Sequence, residues 1–591
     1  MMTSKWLTII NGVKHFMKTD KGYAISGMVI GMLLFLMIYG FAPLVPTNVS
    51  FLYDSTDFDL MSHQFGFDFY RYSDWSHPIG ETASYPYPYI SSVINSDSIP
   101  LFAIPCKILS PVLPAHFQYM GIWHLFCFAM QGLGAALIFR KAGIGYAHTV
   151  VSVPLFICNV PLLFRCFHHS SLVGQWLILF VFLLIMEQKK MSPTKKTILW
   201  CVLCALSVLI HGYLFIIVGV LMTLSCIYCA FFEKKVREAA MVFICCVIST
   251  VPVYYEAGGT VVHSNIEVFG LGKFTLDLFD ILNPQYSSFF KPFYESSSEG
   301  TLYLGTGIIV LLVISAVLFI KDYKSIKNAV IARKKQVLFL TFSVIVLTIL
   351  SLGVCGQFAG KVFYDIRPVL PEELAIKLSM LRSTARFIWP VWYLFLIGGV
   401  ILVSKRITNF RISFVLLMLC LVLQYADVVP VTAQGGTDKI VNGYDTELSH
   451  AFDGSFSSDA VHLTLMGPAF IRAAADFAAQ HRMSVNASKV GRGPKNSLQI
   501  ATDEFNTLTL SRDSVYVIGK KNLFYLEPVD LPSDYSIYLC DDLFVIFYND
   551  LLVAPPGGEA ELISSDEFLD YINLSKSEND CPEPITNYED I

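Results

Sequence analysis

Charged residues are scarce in this chain: Asp, Glu, Lys and Arg together make up only 15% of its 591 residues. Soluble domains carry about 25% charged residues on average. Hydrophobic residues reach 54%, and the mean hydropathy is +0.56. This composition excludes an ordinary soluble protein and indicates a polytopic membrane protein. The formal net charge of −5 favours no particular charged partner, and we expect no nucleic-acid partner.

Motifs for common cofactors and nucleophiles are also missing. No P-loop, GxGxxG, HExxH or GxSxG pattern occurs in a context that could support it. Most of the 14 cysteines fall in apolar runs, where Cys packs as a small hydrophobe. His168, His169 and His211 have no carboxylate or cysteine nearby at metal-ligand spacing, so we predict no zinc site. We also expect the protein to require no cofactor. Binding of a divalent cation by the carboxylate oxygens of Asp57 and Asp59 is left as an alternative.

Long apolar segments dominate what is present. A window of about 19 residues gives about eleven candidate spans. They lie near residues 24–45, 118–140, 148–165, 170–187, 197–211, 213–231, 239–257, 302–320, 336–354, 387–404 and 409–426. We expect the first to be an uncleaved signal anchor. Residues 99–114 are apolar but rich in proline, which predicts an interfacial or re-entrant segment.

Basic residues are distributed unevenly between the connecting loops. An odd number of spans places the termini on opposite sides, and every loop on the N-terminal side is then basic. Examples are Lys18 and Lys21, Arg140 and Lys141, Lys189 and Lys190, Lys234 and Lys235, and Lys405 and Arg406. The positive-inside rule therefore predicts a cytoplasmic N-terminus. The long connections 46–117, 258–301 and 355–386, together with the tail, are then predicted on the outer face.

The composition changes near residue 427, which predicts two domains. Residues 1–426 would form the membrane domain, with 46–117 as its first outer loop. Residues 427–591 would form a soluble α/β domain, because Ala469–His481 has helical periodicity whereas Ser514–Ile518, Ser536–Leu539 and Leu543–Tyr548 read as buried strands.

The first outer loop contains the most informative polar cluster. If a helix begins at Asp59, then Asp59, His63, Gly66 and Tyr70 share one of its faces. A carboxylate paired with an imidazole can accept a proton from an attacking hydroxyl. Helix capping by this acidic stretch is the alternative. Asp57 is the reserve candidate for the base.

Other outer segments carry weaker signals. The rings of Tyr85-Pro-Tyr-Pro-Tyr89 could stack on sugars, although interfacial anchoring is commoner. Asp97 precedes an apolar segment and is interpreted as a structural cap rather than a catalytic residue. Arg382 and Arg386 are one helical turn apart, so their guanidinium groups could hold a phosphate; snorkelling towards lipid head groups is the alternative.

Several of these pieces resemble the GT-C superfamily of membrane glycosyltransferases and, more narrowly, an uncharacterised bacterial family of similar length. The matching pieces are Asp59-Leu-Met-Ser-His63-Gln-Phe-Gly66 with Arg71 and Trp75, Pro78-Ile-Gly80, Ser96-Asp97-Ser-Ile-Pro100, Glu299-Gly300 with Tyr303, and Arg382-Ser-Thr-Ala-Arg386-Phe-Ile-Trp389-Pro390.

The resemblance implies a GT-C-like arrangement of the helices in a bacterial inner membrane, with the C-terminal domain periplasmic. It further implies transfer of a sugar from a polyprenyl-phosphate donor to a glycan or lipid-linked acceptor, as in O-antigen glucosylation, with inversion. Asp59 corresponds to the superfamily's base, and His63 would support it. The substrate-binding candidates are Arg71, Trp75, Glu299, Tyr303, Arg382 and Arg386.

Two other functions fit a chain with many spans. A lipid-linked glycan flippase would place buried charges midway along its spans, often in discontinuous helices. A polymerase would join whole glycan repeats. The ionisable groups of this chain gather in outer loops, which favours an enzyme.

Overall fold

The protein is a bundle of long apolar helices joined to a C-terminal sheet. A computed structural model describes residues 15–53, 59–261, 270–296, 302–433, 440, 446–467, 471–487, 497–558 and 560–578. Within these residues, 9 helical segments are long and apolar enough to cross a membrane. They are α1 (Asp20–Tyr39), α4 (Met120–Lys141), Ser170–Lys190 with α6 (Trp176–Glu187), α7 (Pro193–Ile210), α8 (Gly212–Phe231), α9 (Val236–Glu256), α12 (Lys334–Leu352), Thr384–Arg406 with α13 (Trp389–Arg406), and α14 (Phe410–Asp427).

Two further helix pairs in the described residues are long and apolar enough only when taken together, and each is bent, as in a broken span or a re-entrant loop. Tyr146–Phe156, which contains α5 (Tyr146–Ser152), continues into Val160–Cys166 at 54°. The break falls where Asn159 caps the second piece by accepting a hydrogen bond from the backbone N–H of Leu162 at 3.0 Å. The second bent pair is α10 (Thr306–Lys321) and α11 (Tyr323–Ala332), at 88°. Counting each pair as one span gives up to 11 in the described residues, in agreement with the predicted number.

The described part of the first long connection contains a helical turn at Ser50–Tyr53 and two longer helices, α2 (Asp59–Tyr72) and α3 (Pro100–Ile108). Between them, strands β1 (Glu81–Thr82) and β2 (Ser91–Ser92) form a small antiparallel pair. A second small antiparallel pair, β3 (Cys355–Phe358) and β4 (Lys361–Asp365), follows α12. Helix α2 contains Asp59, His63, Gly66 and Tyr70, as their predicted shared face requires, and the proline-rich segment 99–114 contains a short helix and no full span, as expected.

The C-terminal region contains a 6-stranded mixed sheet in the order β10-β8-β9-β7-β5-β6. Its longer helices are α15 (Arg472–Gln480), α16 (Ser497–Asn506) and α17 (Ser565–Glu578), and a short helix covers Glu447–Phe452. The strands are β5 (His462–Leu465), β6 (Ser484–Val485), β7 (Ser514–Gly519), β8 (Tyr535–Cys540), β9 (Leu543–Tyr548) and β10 (Ala560–Ile563). Strands β7, β8 and β9 and helix α15 correspond to the elements predicted from periodicity.

Helix α2 connects the two parts of the molecule. Met61, Phe65 and Phe69 recur every fourth residue and therefore form one stripe on the helix. This stripe belongs to the hydrophobic core of the C-terminal sheet, in which Phe65 is fully buried. The ring of Phe69 stacks on that of Tyr85 with a centroid distance of 4.9 Å. The opposite side of α2 is left for the membrane helices and their loops.

The tyrosine-rich motif has a structural function that its sequence did not indicate. The backbone of Tyr87 donates to the carbonyl of Val485, and Val485 donates back to Ser84. The Tyr87 ring also stacks on His462 at a centroid distance of 3.8 Å. Tyr85 and Tyr87 therefore dock the C-terminal sheet, which differs from the sugar-stacking and interfacial interpretations.

Basic residues collect at the end of the bundle opposite α2. Arg140 and Lys141 pair with Asp20 at 3.0 and 2.6 Å, and Lys189 pairs with Glu233 at 2.7 Å. These pairs connect neighbouring helices where they turn, and they define what we call the basic end.

Replacing Phe69 with Ala tests the docking of the sheet. Truncating a buried aromatic side chain costs about 3–5 kcal/mol, so we expect the C-terminal region to detach more readily. Limited proteolysis would then release it at a lower protease concentration than in the wild type. Phe395→Ala, whose ring is 55% exposed, serves as the control, and equal proteolysis of the two variants would contradict the docking.

Candidate functional site

The candidate site lies at the end of the bundle where α2 begins, which we call the Asp59 end. The segment Ser96–Ser98 is held against α2: the Ser98 hydroxyl donates to the carbonyl of His63 at 2.8 Å. Gly66 permits this approach, because a Cβ there would lie 2.4 Å from the Ser96 side chain. The face predicted for His63 and Gly66 is thus the face against which the segment packs.

Asp97 occupies the centre of this arrangement. Its Oδ2 lies 4.0 Å from Nε2 of His63 and 3.9 Å from Nδ1 of His169, and its Oδ1 lies 3.4 Å from Nε2 of His211. The interpretation of Asp97 as a helix cap is wrong. The residue that caps α3 is Ile99, and no side chain makes a capping hydrogen bond there.

Asp97 and His169 both adopt left-handed backbone conformations, with φ of 52° and 57°. Such conformations cost a residue with a Cβ about 1–3 kcal/mol and persist only where the surroundings impose them. The carbonyl of Ser98 accepts a hydrogen bond from the Tyr119 hydroxyl, and Ser170 bonds to Trp123 and His124. Hydrogen bonds to the residues that follow Asp97 and His169 therefore hold both backbones in these strained conformations, which bring the two side chains together.

Asp59 is paired differently from the prediction. Its Oδ2 lies 3.2 Å from Nε2 of His169, whereas His63 approaches Asp97. The Asp59 side chain is 31% exposed, so its carboxylate can still be reached from outside the cluster. Imidazole rings of His63 and His169 stack at a centroid distance of 5.9 Å, which brings the two pairs into one cluster.

His211 is buried between α7 and α8, where its backbone links the two helices. Its Nδ1 accepts the backbone N–H of Tyr213 at 3.0 Å, so its Nε2 carries the proton and points to Asp97. Burial chiefly, and also the positive charge of Arg386, holds the pKa of His211 well below its ordinary value. We therefore assign a neutral imidazole that orients Asp97.

Two buried arginines bring positive charge to this end. Arg386 is 5% exposed and its guanidinium carbon lies 4.7 Å from the ring centroid of Tyr213. Arg165 is 1% exposed and lowers the pKa of His211 in the same way as Arg386. Arg165 was missed because it lies at the end of an apolar segment, although a lone arginine there was a usable signal.

Arg382 does not share a helix face with Arg386. The α-helix begins only at Trp389, after a 3₁₀ turn at Thr384–Ile388, so the predicted helical spacing of the two arginines is wrong. The half-buried Arg382 instead lies over the ring of Phe274, with 5.8 Å between its guanidinium carbon and the ring centroid.

Three other predicted site residues make structural contacts. Tyr303 is buried and donates to Asp427 at 2.9 Å, beside the start of α10. Trp75 is exposed and lies over the ammonium group of Lys107. The guanidinium of Arg71 is buried and donates to the carbonyl oxygens of Ser110, Leu113, Pro114 and Ala115. Asp57 and Glu299 lie outside the described residues.

The fold and the site define a polytopic helical membrane protein with an Asp/His cluster at one end of its bundle. More particularly, the chain belongs to the family described as "Domain of unknown function (DUF6311)", which it matches over residues 28–429. That range contains Asp59, Asp97, the histidines of the cluster and Arg386, but excludes the C-terminal sheet. No curated protein matches the chain.

Gly66→Ala tests the geometry of the site. The added methyl group would meet Ser96 and Ser98 at 2.4 Å, and such overpacking costs about 1–3 kcal/mol. We expect a lower thermal stability in detergent and a displaced Asp97. Gly398→Ala, where the added Cβ meets nothing within 4 Å, should behave as the wild type. An unchanged melting temperature for Gly66→Ala would show that the close approach is not needed.

Proposed function

We propose that the protein is a GT-C-like glycosyltransferase that moves a sugar from a polyprenyl-phosphate donor to a cell-envelope glycan acceptor. The observation that carries the proposal is the contact of 3.2 Å between the accessible Asp59 carboxylate and His169. A carboxylate oriented by an imidazole beside buried cationic groups is suited to general-base catalysis and to stabilising a phosphate leaving group.

In this mechanism, Asp59 takes the proton from the acceptor hydroxyl. The acceptor oxygen attacks the anomeric carbon while the bond from that carbon to the phosphate oxygen breaks, which releases polyprenyl phosphate and inverts the anomeric configuration. His169 donates from Nε2 to Asp59 and holds the carboxylate in place. Arg386 supplies positive charge for the leaving phosphate, and its planar guanidinium suits bidentate binding.

An apolar cavity supports a lipid-linked donor. It has a volume of about 700 Å³ and lies between α7, α8, α9 and α12. Helices α7 and α8 meet at His211, so the cavity and the Asp/His cluster share two helices. Within the bilayer such a cavity suits a branched hydrocarbon chain.

The basic end supports an orientation of the protein in the membrane with this end in the cytoplasm. Positive residues concentrate on the cytoplasmic side of bacterial inner-membrane proteins, so the Asp59 end and the C-terminal sheet would face the periplasm. The buried ionisable side chains Arg165, Lys196 and Asp427 lie near helix ends. A transporter with charges midway along its spans is therefore less favoured, although its discontinuous helices would find a counterpart in the two bent pairs.

Asp59→Asn tests the base. Removing a general base costs about 10²- to 10⁴-fold in rate, so release of polyprenyl phosphate with formation of the glycosylated product should fall by that range. Purified protein in lipid discs, supplied with polyprenyl-phosphate sugars and candidate acceptors, gives the measurement. Asp74→Asn, an exposed carboxylate after the same helix, is the control.

Full activity of Asp59→Asn would remove Asp59 from the mechanism. Absence of product with the wild type over a broad donor panel would instead favour transport, and products longer by whole repeat units would indicate a polymerase.

Gly219→Trp tests the donor's lipid chain. A Cβ at Gly219 meets nothing within 4 Å, and the residue lines the cavity, so an indole would fill this space. We expect KM for a long-chain donor to rise at least about tenfold, since each lost buried methylene costs about 0.8 kcal/mol. KM for a short-chain donor should stay unchanged. Gly398→Trp is the control, and equal effects on both donors would contradict this use of the cavity.

A further inference from the structure

Among the described residues, His63, Asp97 and His169 bring one ligand atom each to within 4.8 Å of one another. The atoms that face each other are Nε2 of His63, Oδ2 of Asp97 and Nδ1 of His169. They come from three separate segments of the chain. Local spacing in the sequence therefore gave no sign of this group, since its three members are not neighbours along the chain.

The separations suit an ion better than direct hydrogen bonds. Asp97 Oδ2 lies 4.0 Å from His63 and 3.9 Å from His169, which is beyond hydrogen-bonding range. Around a tetrahedral zinc ion, with ligands at about 2.0–2.1 Å, neighbouring ligand atoms are roughly 3.3 Å apart. Small side-chain rotations of the imidazoles would close the difference.

Neighbouring contacts orient two of these ligands. Nε2 of His169 lies 3.2 Å from Oδ2 of Asp59, and the tautomer with its proton on Nε2 leaves on Nδ1 the lone pair that a metal needs. A metal-binding histidine commonly gives its other ring N–H to a carboxylate in this way. Asp59 thus has the position of such an orienting carboxylate.

A neighbouring histidine orients the carboxylate ligand Asp97 in a similar way. His211 accepts from Tyr213 at Nδ1 and directs its protonated Nε2 to Oδ1 of Asp97. Because both nitrogens of His211 are committed, it orients Asp97 and is not itself a ligand. The remaining oxygen, Oδ2, is the one that faces the two histidines.

We propose that His63, Asp97 and His169 bind one divalent transition-metal ion, and zinc fits because two imidazoles and one carboxylate form known catalytic zinc sites. Three protein ligands leave at least one coordination position, as in catalytic zinc sites. A water molecule or a phosphate oxygen would occupy that position. The proposal does not rest on the proposed function, because ion binding is measured without any substrate.

Metal content of the full-length protein tests the site. After purification without chelator and equilibration with zinc, we expect about one bound ion per chain, measured by inductively coupled plasma mass spectrometry. His63→Gln, His169→Gln and Asp97→Asn each remove one ligand and should lower zinc affinity at least tenfold. His77→Gln, which replaces a histidine whose side chain is 81% exposed, should bind as the wild type.

The orienting residues give a graded second measurement. Asp59→Asn and His211→Gln should weaken zinc binding by about 10- to 100-fold, as loss of such partners does elsewhere. Ligand variants that bind zinc as tightly as the wild type would overturn the proposal.

The wild type gives a further test that is independent of how the variants fold. Cobalt added to the wild-type protein should give the visible absorption of a coordinated ion, and zinc should displace it. A monodisperse wild type that binds neither zinc nor cobalt would refute the site. In that case the transferase proposal would stand, because Asp59 acts there as a base without a metal.

Discussion

The close approach of residues 96–98 to helix α2 is the contact on which the candidate site depends. Gly66 has no Cβ, so the segment lies directly on the helix, and the hydrogen bond from Ser98 to His63 fixes its register. Asp97 is thereby forced into a left-handed conformation and directed to the histidines. Without this contact, Asp97 and His63 would have no reason to meet.

The other side of α2 is held just as firmly. Met61, Phe65 and Phe69 are part of the core of the C-terminal sheet, while His63 and Gly66 face the membrane helices. A helix packed on both sides loses little further conformational freedom when a substrate binds, and such rigidity improves the positioning of catalytic groups. We infer that the C-terminal sheet, which lies beyond the residues that match the family, stabilises the position of α2 and thereby of the site.

The sequence predicted those features that arise from local patterns. Hydropathy predicted the number of spans, continuous apolar runs predicted buried strands such as Leu543–Tyr548, and the spacing of Asp59 and His63 predicted that they share a helix face. It did not predict the partners in the cluster, because His169 and Asp59 are far apart along the chain and meet only after the helices pack. Asp97 was misread for the same reason, since beside α3 it looks like a cap.

The spacing of Arg382 and Arg386 was also misleading, because helix α13 begins only at Trp389, after both residues. Arg382 and Arg386 would share a face only in an α-helix, and the 3₁₀ turn at Thr384–Ile388 separates them. Arg71 looked like a substrate ligand, yet carbonyl oxygens of the following segment take its donors. Tertiary contacts decide what the guanidinium group of each arginine touches, and a single sequence gives no access to them.

The most direct test of the central claim is a structure of the protein in lipid discs with a bound, non-hydrolysable polyprenyl-phosphate sugar. The account predicts the phosphate in contact with Arg386, the prenyl chain in the cavity beside Gly219, and the anomeric carbon close enough to Asp59 for an acceptor hydroxyl to fit between them, about 3–3.5 Å from the reacting carbon. A donor bound at the basic end, or along the middle of the helices away from Asp59, would contradict it.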